Sequence, residues 1–177
     1  TYTRQTFSKD RYTIWTMQSN YHNLPLINGV PQKHGATYKA TQVQADKRKN
    51  TFTANIATAY PAEAEVESWI RSYSLQKGQL RISDSFRLTT AKQPNQINFM
   101  TWGQVNTEIP GKIQLDVKGK KAFIEYDKQL FDVKTETIPL TDPRLSNVWG
   151  KSIYRITLTA TNIYKTCLLY TSPSPRD

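Results

Sequence analysis

Two histidines in 177 residues leave little room for imidazole chemistry, and only one stands in a setting that suggests any. His22 lies in YHNLPLINGVPQ, the stretch from Tyr21 to Gln32. Beside it Leu24, Leu26 and Ile27 want a core, and Asn28-Gly29 supplies the positive-φ pair that a tight reversal demands. That context predicts His22 at the mouth of a buried strand, with a fixed backbone and one ring nitrogen free. Metal-binding imidazoles are held in this way. The competing reading is a core histidine with both nitrogens satisfied by neighbours. A zinc centre needs three or four ligands, and His34 is twelve residues on, past the turn, with no cysteine near.

The other chemistry-bearing residues are fewer still. Asp84 falls on the apolar face of a strand between Ile82 and Phe86, where an acid either does chemistry or, more commonly, bonds a loop backbone. Trp15, Trp69, Trp102 and Trp149 suit sugar platforms, although buried tryptophan is the default in a sandwich. No glycine-rich phosphate loop, GxSxG elbow, CxxC or HExxH is present. Aromatics are not interleaved with basic residues as in a single-strand nucleic-acid groove, although the charge balance alone leaves nucleic acid, acidic polysaccharide and anionic lipid open.

The elements that must position these residues are mostly strands. Thr, Tyr, Ile, Val, Phe and Trp abound in short alternating runs with turn signals between them. Ser8 and Asp10 suggest a cap for a two-turn helix running to about Met17, with a strand as the rival reading. Strands are expected over Tyr38 to Ala45 and Thr51 to Thr58, with Lys47-Arg48-Lys49 as a solvated hairpin tip. PAEAEVESWIRSYS has helix-forming composition, yet its alternation and the Lys77-Gly78 turn favour a hairpin ending in Leu80 to Leu88. Further strands follow at Gln96 to Val105, Lys112 to Val117, Lys121 to Tyr126, Gln129 to Thr137 and Ser152 to Thr161. Asp142-Pro143 and Asn147 to Gly150 mark a loop between the last two. About ten antiparallel strands of this spacing make an all-β sandwich with a short N-terminal helix. No apolar run reaches the length of a membrane span.

The formal net charge is +10 and the isoelectric point about 9.7, so the surface should attract polyanions. The single cysteine, Cys167, lies in the terminal TCLLYTSPSPRD. That segment, residues 166–177, looks like translated sequencing-adapter read-through and is set aside as a non-native tail, leaving residues 1–165 as the sandwich. The remainder has no cysteine, which excludes a disulfide framework without choosing a compartment. The chain opens on Thr1, and its polar start, TYTRQTFSKDRY, does not read as a signal peptide. Processing or truncation upstream is therefore expected.

RYTIWTMQSNYHNLPLINGVPQ, followed by VESWIRSYSLQKGQLRISDSFRL, resembles the C-terminal β-sandwich of heparinase II/III-like polysaccharide lyases. The similarity runs from about Tyr2 to Tyr164, and its most specific part is the aromatic-His-Asn before a strand ending in Asn-Gly. The resemblance implies a fragment of a lyase that cleaves uronate-containing acidic polysaccharide by β-elimination, periplasmic or secreted, so no nucleic-acid partner is expected. It makes His22 similar to a zinc ligand whose partners, a His and an Asp, lie upstream. It also implies a helical toroid domain before the sandwich, carrying the catalytic residues, so none is expected here. Arg11, Tyr12 and Tyr21 are substrate-binding candidates because they lie near His22 in sequence and offer a bidentate cation and polar-tipped rings. Asn23 is expected to order the backbone beside His22. The alternative from a different class is a noncatalytic carbohydrate-binding sandwich, complete in itself.

Overall fold

A computed structural model describes residues 5–175. Among the described residues twelve strands form two antiparallel sheets. The smaller sheet has the order β1 (Pro25–Leu26), β6 (Gln96–Thr101), β11 (Ser152–Ala160) and β10 (Phe131–Pro139). The larger begins with β2 (Thr41–Asp46), β3 (Thr51–Asn55), β4 (Val66–Gln76) and β5 (Gln79–Leu88). It continues through β12 (Thr166–Pro175), β9 (Lys120–Tyr126), β8 (Lys112–Val117) and β7 (Gln104–Ile109). Among the described residues no helix is long and apolar enough to cross a membrane.

Alternation decides what lies between the sheets. Trp69, Phe86 and Leu88 of the larger sheet meet Ile97, Phe99, Ile156 and Leu158 of the smaller, all buried. The Trp69 and Phe86 rings stack with centroids 4.4 Å apart. Tight X-Gly reversals close three of the expected hairpins. At Asn28-Gly29 φ is 49° and 75°, at Lys77-Gly78 49° and 74°, and at Lys118-Gly119 54° and 79°. Lys47-Arg48-Lys49 is an exposed tip, as expected, with Asp46 Oδ1 accepting from the Arg48 and Lys49 amides.

Asn28 does more than turn the chain. Its buried side-chain amide donates to the Ala64 and Thr90 carbonyls, and its Oδ1 accepts from the Lys92 amide. This node satisfies three otherwise orphaned backbone groups of two loops.

Several expectations need correcting. The N-terminal helix is instead three single 3-10 turns, Arg11–Thr13, Trp15–Met17 and Ser19–Tyr21. They are separated by extended Ile14 and Gln18, because the apolar residues here follow no single helical period. The segment Gln96 to Val105 is two strands rather than one. It breaks at Trp102-Gly103, where the chain leaves the smaller sheet for the larger. A Cβ at Gly103 would stand 2.6 Å from the Asp116 carbonyl oxygen, so only glycine lets the backbones approach this closely. The loop at Asp142 to Gly150 contains α1 (Pro143–Trp149). Asp142 Oδ1 caps the Arg144 amide at 2.9 Å, with Pro143 at the first helical position and Gly150 just past the end.

The terminal segment set aside from the fold also pairs. In β12, Thr166 lies opposite Arg87 and Thr171 opposite Ile82 of β5, and on the other side Thr171 faces Tyr126 and Pro175 faces Ala122 of β9. Two open strand edges offer unpaired backbone groups to any extended segment between them, whatever its side chains. Pro173 and Pro175 bring no N–H to that ladder.

Candidate functional site

On the outer face of the smaller sheet, away from the main core, a second apolar cluster forms. Ile138 and Ile153, cross-strand partners, pack with Leu140 and with Leu145 of α1. Trp15, Tyr21, Met100 and Trp149 lean against this cluster. The 3-10 turns come down on one side and α1 on the other, and between them lies a cleft of about 330 Å³. Trp15, Tyr21, Trp149, Met100 and Ile153 give it an aromatic and apolar lining. Thr16, His22, Thr101 and Trp102 complete the lining.

His22 is exposed and extended (φ −128°, ψ 170°) at the end of the third 3-10 turn, two residues ahead of Leu24 rather than inside a buried strand. Its Nε2 lies 3.1 Å from the Thr16 carbonyl oxygen. A carbonyl only accepts, so Nε2 is the donor, and in the neutral ring Nδ1 is the nitrogen with a lone pair. An imidazole that donates one N–H to a backbone carbonyl is oriented as metal-ligating histidines are.

Asn23 orders this stretch, as the sequence led us to expect. Its Oδ1 accepts from the Met100 amide at 2.8 Å and its carbonyl accepts from Arg71 Nη1 at 3.0 Å. Arg71 is itself buried, with Nε and Nη2 each 2.7 Å from the two oxygens of Asp84 on the neighbouring strand. Trp69 Nε1 donates to the same carboxylate at 2.7 Å. Asp84 therefore binds a guanidinium and an indole, not the loop backbone expected of it. Burial alone would pull the Arg71 pKa down, but the Asp84 charge and hydrogen bonds outweigh it and raise it. Tyr60, whose hydroxyl donates to the Pro25 carbonyl, has its pKa pushed up by burial.

The structure brings Tyr21 and His22 to one cleft and takes Arg11 and Tyr12 elsewhere. Arg11 Nη2 donates to the Tyr12 hydroxyl at 2.7 Å, and the Tyr12 ring stacks on His34 with centroids 3.7 Å apart. Tyr21 meets Trp15 edge-on at 5.3 Å, and the Arg155 guanidinium carbon lies 4.5 Å from its ring centroid. Arg155 is fixed in turn by Glu136 at 2.6 Å and the Asn20 carbonyl at 3.3 Å.

Trp102, Trp149 and Trp15 were not separable from core tryptophans in sequence, and only Trp69 proves to be one. Trp102 is 45% exposed, and Lys118 Nζ lies 5.1 Å from its ring centroid. Their clustering had no local signal, since the cleft gathers residues from 15 to 153.

The donor set does not make a zinc centre unaided. Among the described residues there is no group of three or more His, Cys, Asp or Glu suited to a metal ion. His22 offers one ligand nitrogen.

The architecture is a two-sheet antiparallel β-sandwich with an aromatic cleft outside its smaller sheet. Heparan sulfate lyase HepC from Pedobacter heparinus contains this fold: its structure and that of a mutant match with TM-scores of 0.68 and 0.69, at 12% and 11% identity. Each match covers 100% of this chain and 27% of the lyase chain, so the chain spans little more than a quarter of that protein's length. No family model matches the sequence, and no curated protein matches it.

Proposed function

We propose that this chain is the β-sandwich domain of a polysaccharide lyase that acts outside the cytoplasm on uronate-containing acidic polysaccharide by β-elimination. The observation that carries this reading is the match of the whole chain to one part of heparan sulfate lyase HepC. The net charge of +10 suits an anionic substrate. In β-elimination, neutralising the uronate carboxylate acidifies the adjacent ring proton, a base removes it, and an acid protonates the departing glycosidic oxygen. Those groups belong to a partner domain. This chain contributes saccharide contacts and one metal-ligand nitrogen, Nδ1 of His22, the remaining ligands coming from outside its residues.

The test has two parts. The coding sequence upstream of Thr1 in the source DNA should encode a helical domain followed by a closely spaced His and Asp. The corresponding longer protein should release unsaturated uronate from heparan sulfate, read by its ultraviolet absorbance, while the 177-residue chain should not. Elimination by this chain alone would refute the division of labour.

A second reading, a noncatalytic carbohydrate-binding sandwich, is favoured by the aromatic cleft, which suits binding without chemistry. A start codon or signal peptide directly before Thr1 would make it the better account.

A further inference from the structure

We infer that the cleft between the N-terminal 3-10 turns and α1 is a stacking subsite for one sugar ring of an acidic saccharide. In this assignment Trp102 is the platform and Lys118 the cation that meets the sugar's carboxylate or sulfate. The inference rests on the polysaccharide reading for the chemical class of ligand only.

Trp102, 45% exposed, lines the same cleft as Trp15, Tyr21, Met100 and Trp149, and a contiguous apolar and aromatic patch of this kind marks a ligand-binding groove. The cleft volume of about 330 Å³ lies at the lower end of the range for small-ligand sites. Its chemistry is two-faced in the way a pyranose is. Trp15, Trp102 and Trp149 present flat apolar surface to ring C–H groups. His22, Thr16 and Thr101 are the polar residues of the lining, able to bond sugar hydroxyls. Charge then selects among sugars. Lys118 stands 5.1 Å from the Trp102 ring centroid on an exposed hairpin turn, whereas the nearby Arg155 is already committed to Glu136. The exposed Lys118 ammonium, already over one face of the Trp102 ring, leaves the other face for a sugar and favours an anionic ring over a neutral one.

The experiment is a tryptophan-fluorescence titration of the 177-residue chain with heparan sulfate tetrasaccharide, and with cellotetraose as neutral comparison. Saturable binding of the acidic saccharide is expected, weakened about tenfold by Trp102→Ala and changed less than about threefold by Trp102→Phe, which keeps an aromatic face. Lys118→Ala should weaken the acidic saccharide and flatten the salt dependence while leaving cellotetraose unaffected. Absence of saturable binding by the folded chain would overturn the assignment. So would binding indifferent to Trp102→Ala, or equal losses in Trp102→Phe and Trp102→Ala. If the longer protein shows no elimination while Trp102-dependent binding persists, the lyase reading falls and this subsite stands. Elimination with binding indifferent to Trp102 gives the reverse.

Discussion

Replacing Asp84 by Ala should be among the most damaging single changes in the chain. Its carboxylate accepts two bonds from Arg71 and one from Trp69 Nε1, each at 2.7 Å, and both charged side chains are 2% exposed. Removing it leaves a guanidinium buried without its counter-charge, which costs about 3–5 kcal/mol. The orphaned indole N–H adds about 1 kcal/mol. Arg71 cannot escape by losing its proton, because its pKa, raised by Asp84 against the pull of burial, starts from the guanidinium range. With a urea m-value of about 2 kcal/mol/M, a combined loss of about 4–6 kcal/mol moves the unfolding midpoint down by about 2–3 M. The double variant Arg71→Met, Asp84→Leu removes both charges together and should stay within about 2 kcal/mol of the parent, because its desolvation cost disappears with its attraction. Midpoints from circular dichroism in urea measure both. A shift below about 0.5 M for Asp84→Ala, or a double variant as unstable as the single one, would refute the claim that a dry, mutually dependent pair holds β4 to β5 here.

Other consequences can be checked on the same chain. Asn28→Ala should cost about 3 kcal/mol in the same urea assay, because the Ala64 and Thr90 carbonyls and the Lys92 amide all lose their partner. Gly29→Ala should destabilise by about 1–3 kcal/mol, since φ is 75° and the new Cβ would land on the Gln93 amide. The Glu65 carboxyl should titrate by NMR below its ordinary 4.5, chiefly through hydrogen bonds from Lys92 and Thr90. A depressed folded-state pKa gives a contribution present above the unfolded value and lost as pH falls through the folded one, so Lys92→Met should move the titration part of the way back up and weaken that acid-side dependence, the Thr90 bond remaining. His22→Ala should leave the unfolding free energy of this chain within about 0.5 kcal/mol, the ring being exposed, and, if the proposed zinc role holds, should lower the zinc content of the longer protein by metal analysis.

Where local pattern carried the information, the sequence was readable. The Val66–Gln76 and Gln79–Leu88 hairpin was visible through its alternation despite a helix-forming composition, because burial on one face of a sheet outweighs propensity. Signals for α1 were also present, in Asp142, Pro143 and Gly150, but the same residues mark turns, and seven helical residues leave too short a period to tell them apart. The terminal segment was judged by the origin its residues suggest, whereas pairing in a sheet depends on backbone groups that every residue but proline has in full.

The site divides in the same way. His22, Asn23 and the Asn28-Gly29 turn stood out because their chemistry is local, a ring nitrogen and a positive φ within a few residues. Arg71 and Asp84 looked like one unremarked base and one inward acid, and only the register that sets them opposite each other makes them a pair. Likewise, tryptophans at 15, 102 and 149 were indistinguishable from Trp69 until the chain crossed from one sheet to the other at Gly103 and folded α1 back over β11. By itself the sequence determined an antiparallel sandwich, a basic composition and the tight Asn28-Gly29 reversal, since periodicity, charge and turn chemistry act over short spans. Tertiary structure alone decided which rings share a cleft and which charges are buried together, because those contacts join residues far apart in sequence whose meeting no local pattern encodes.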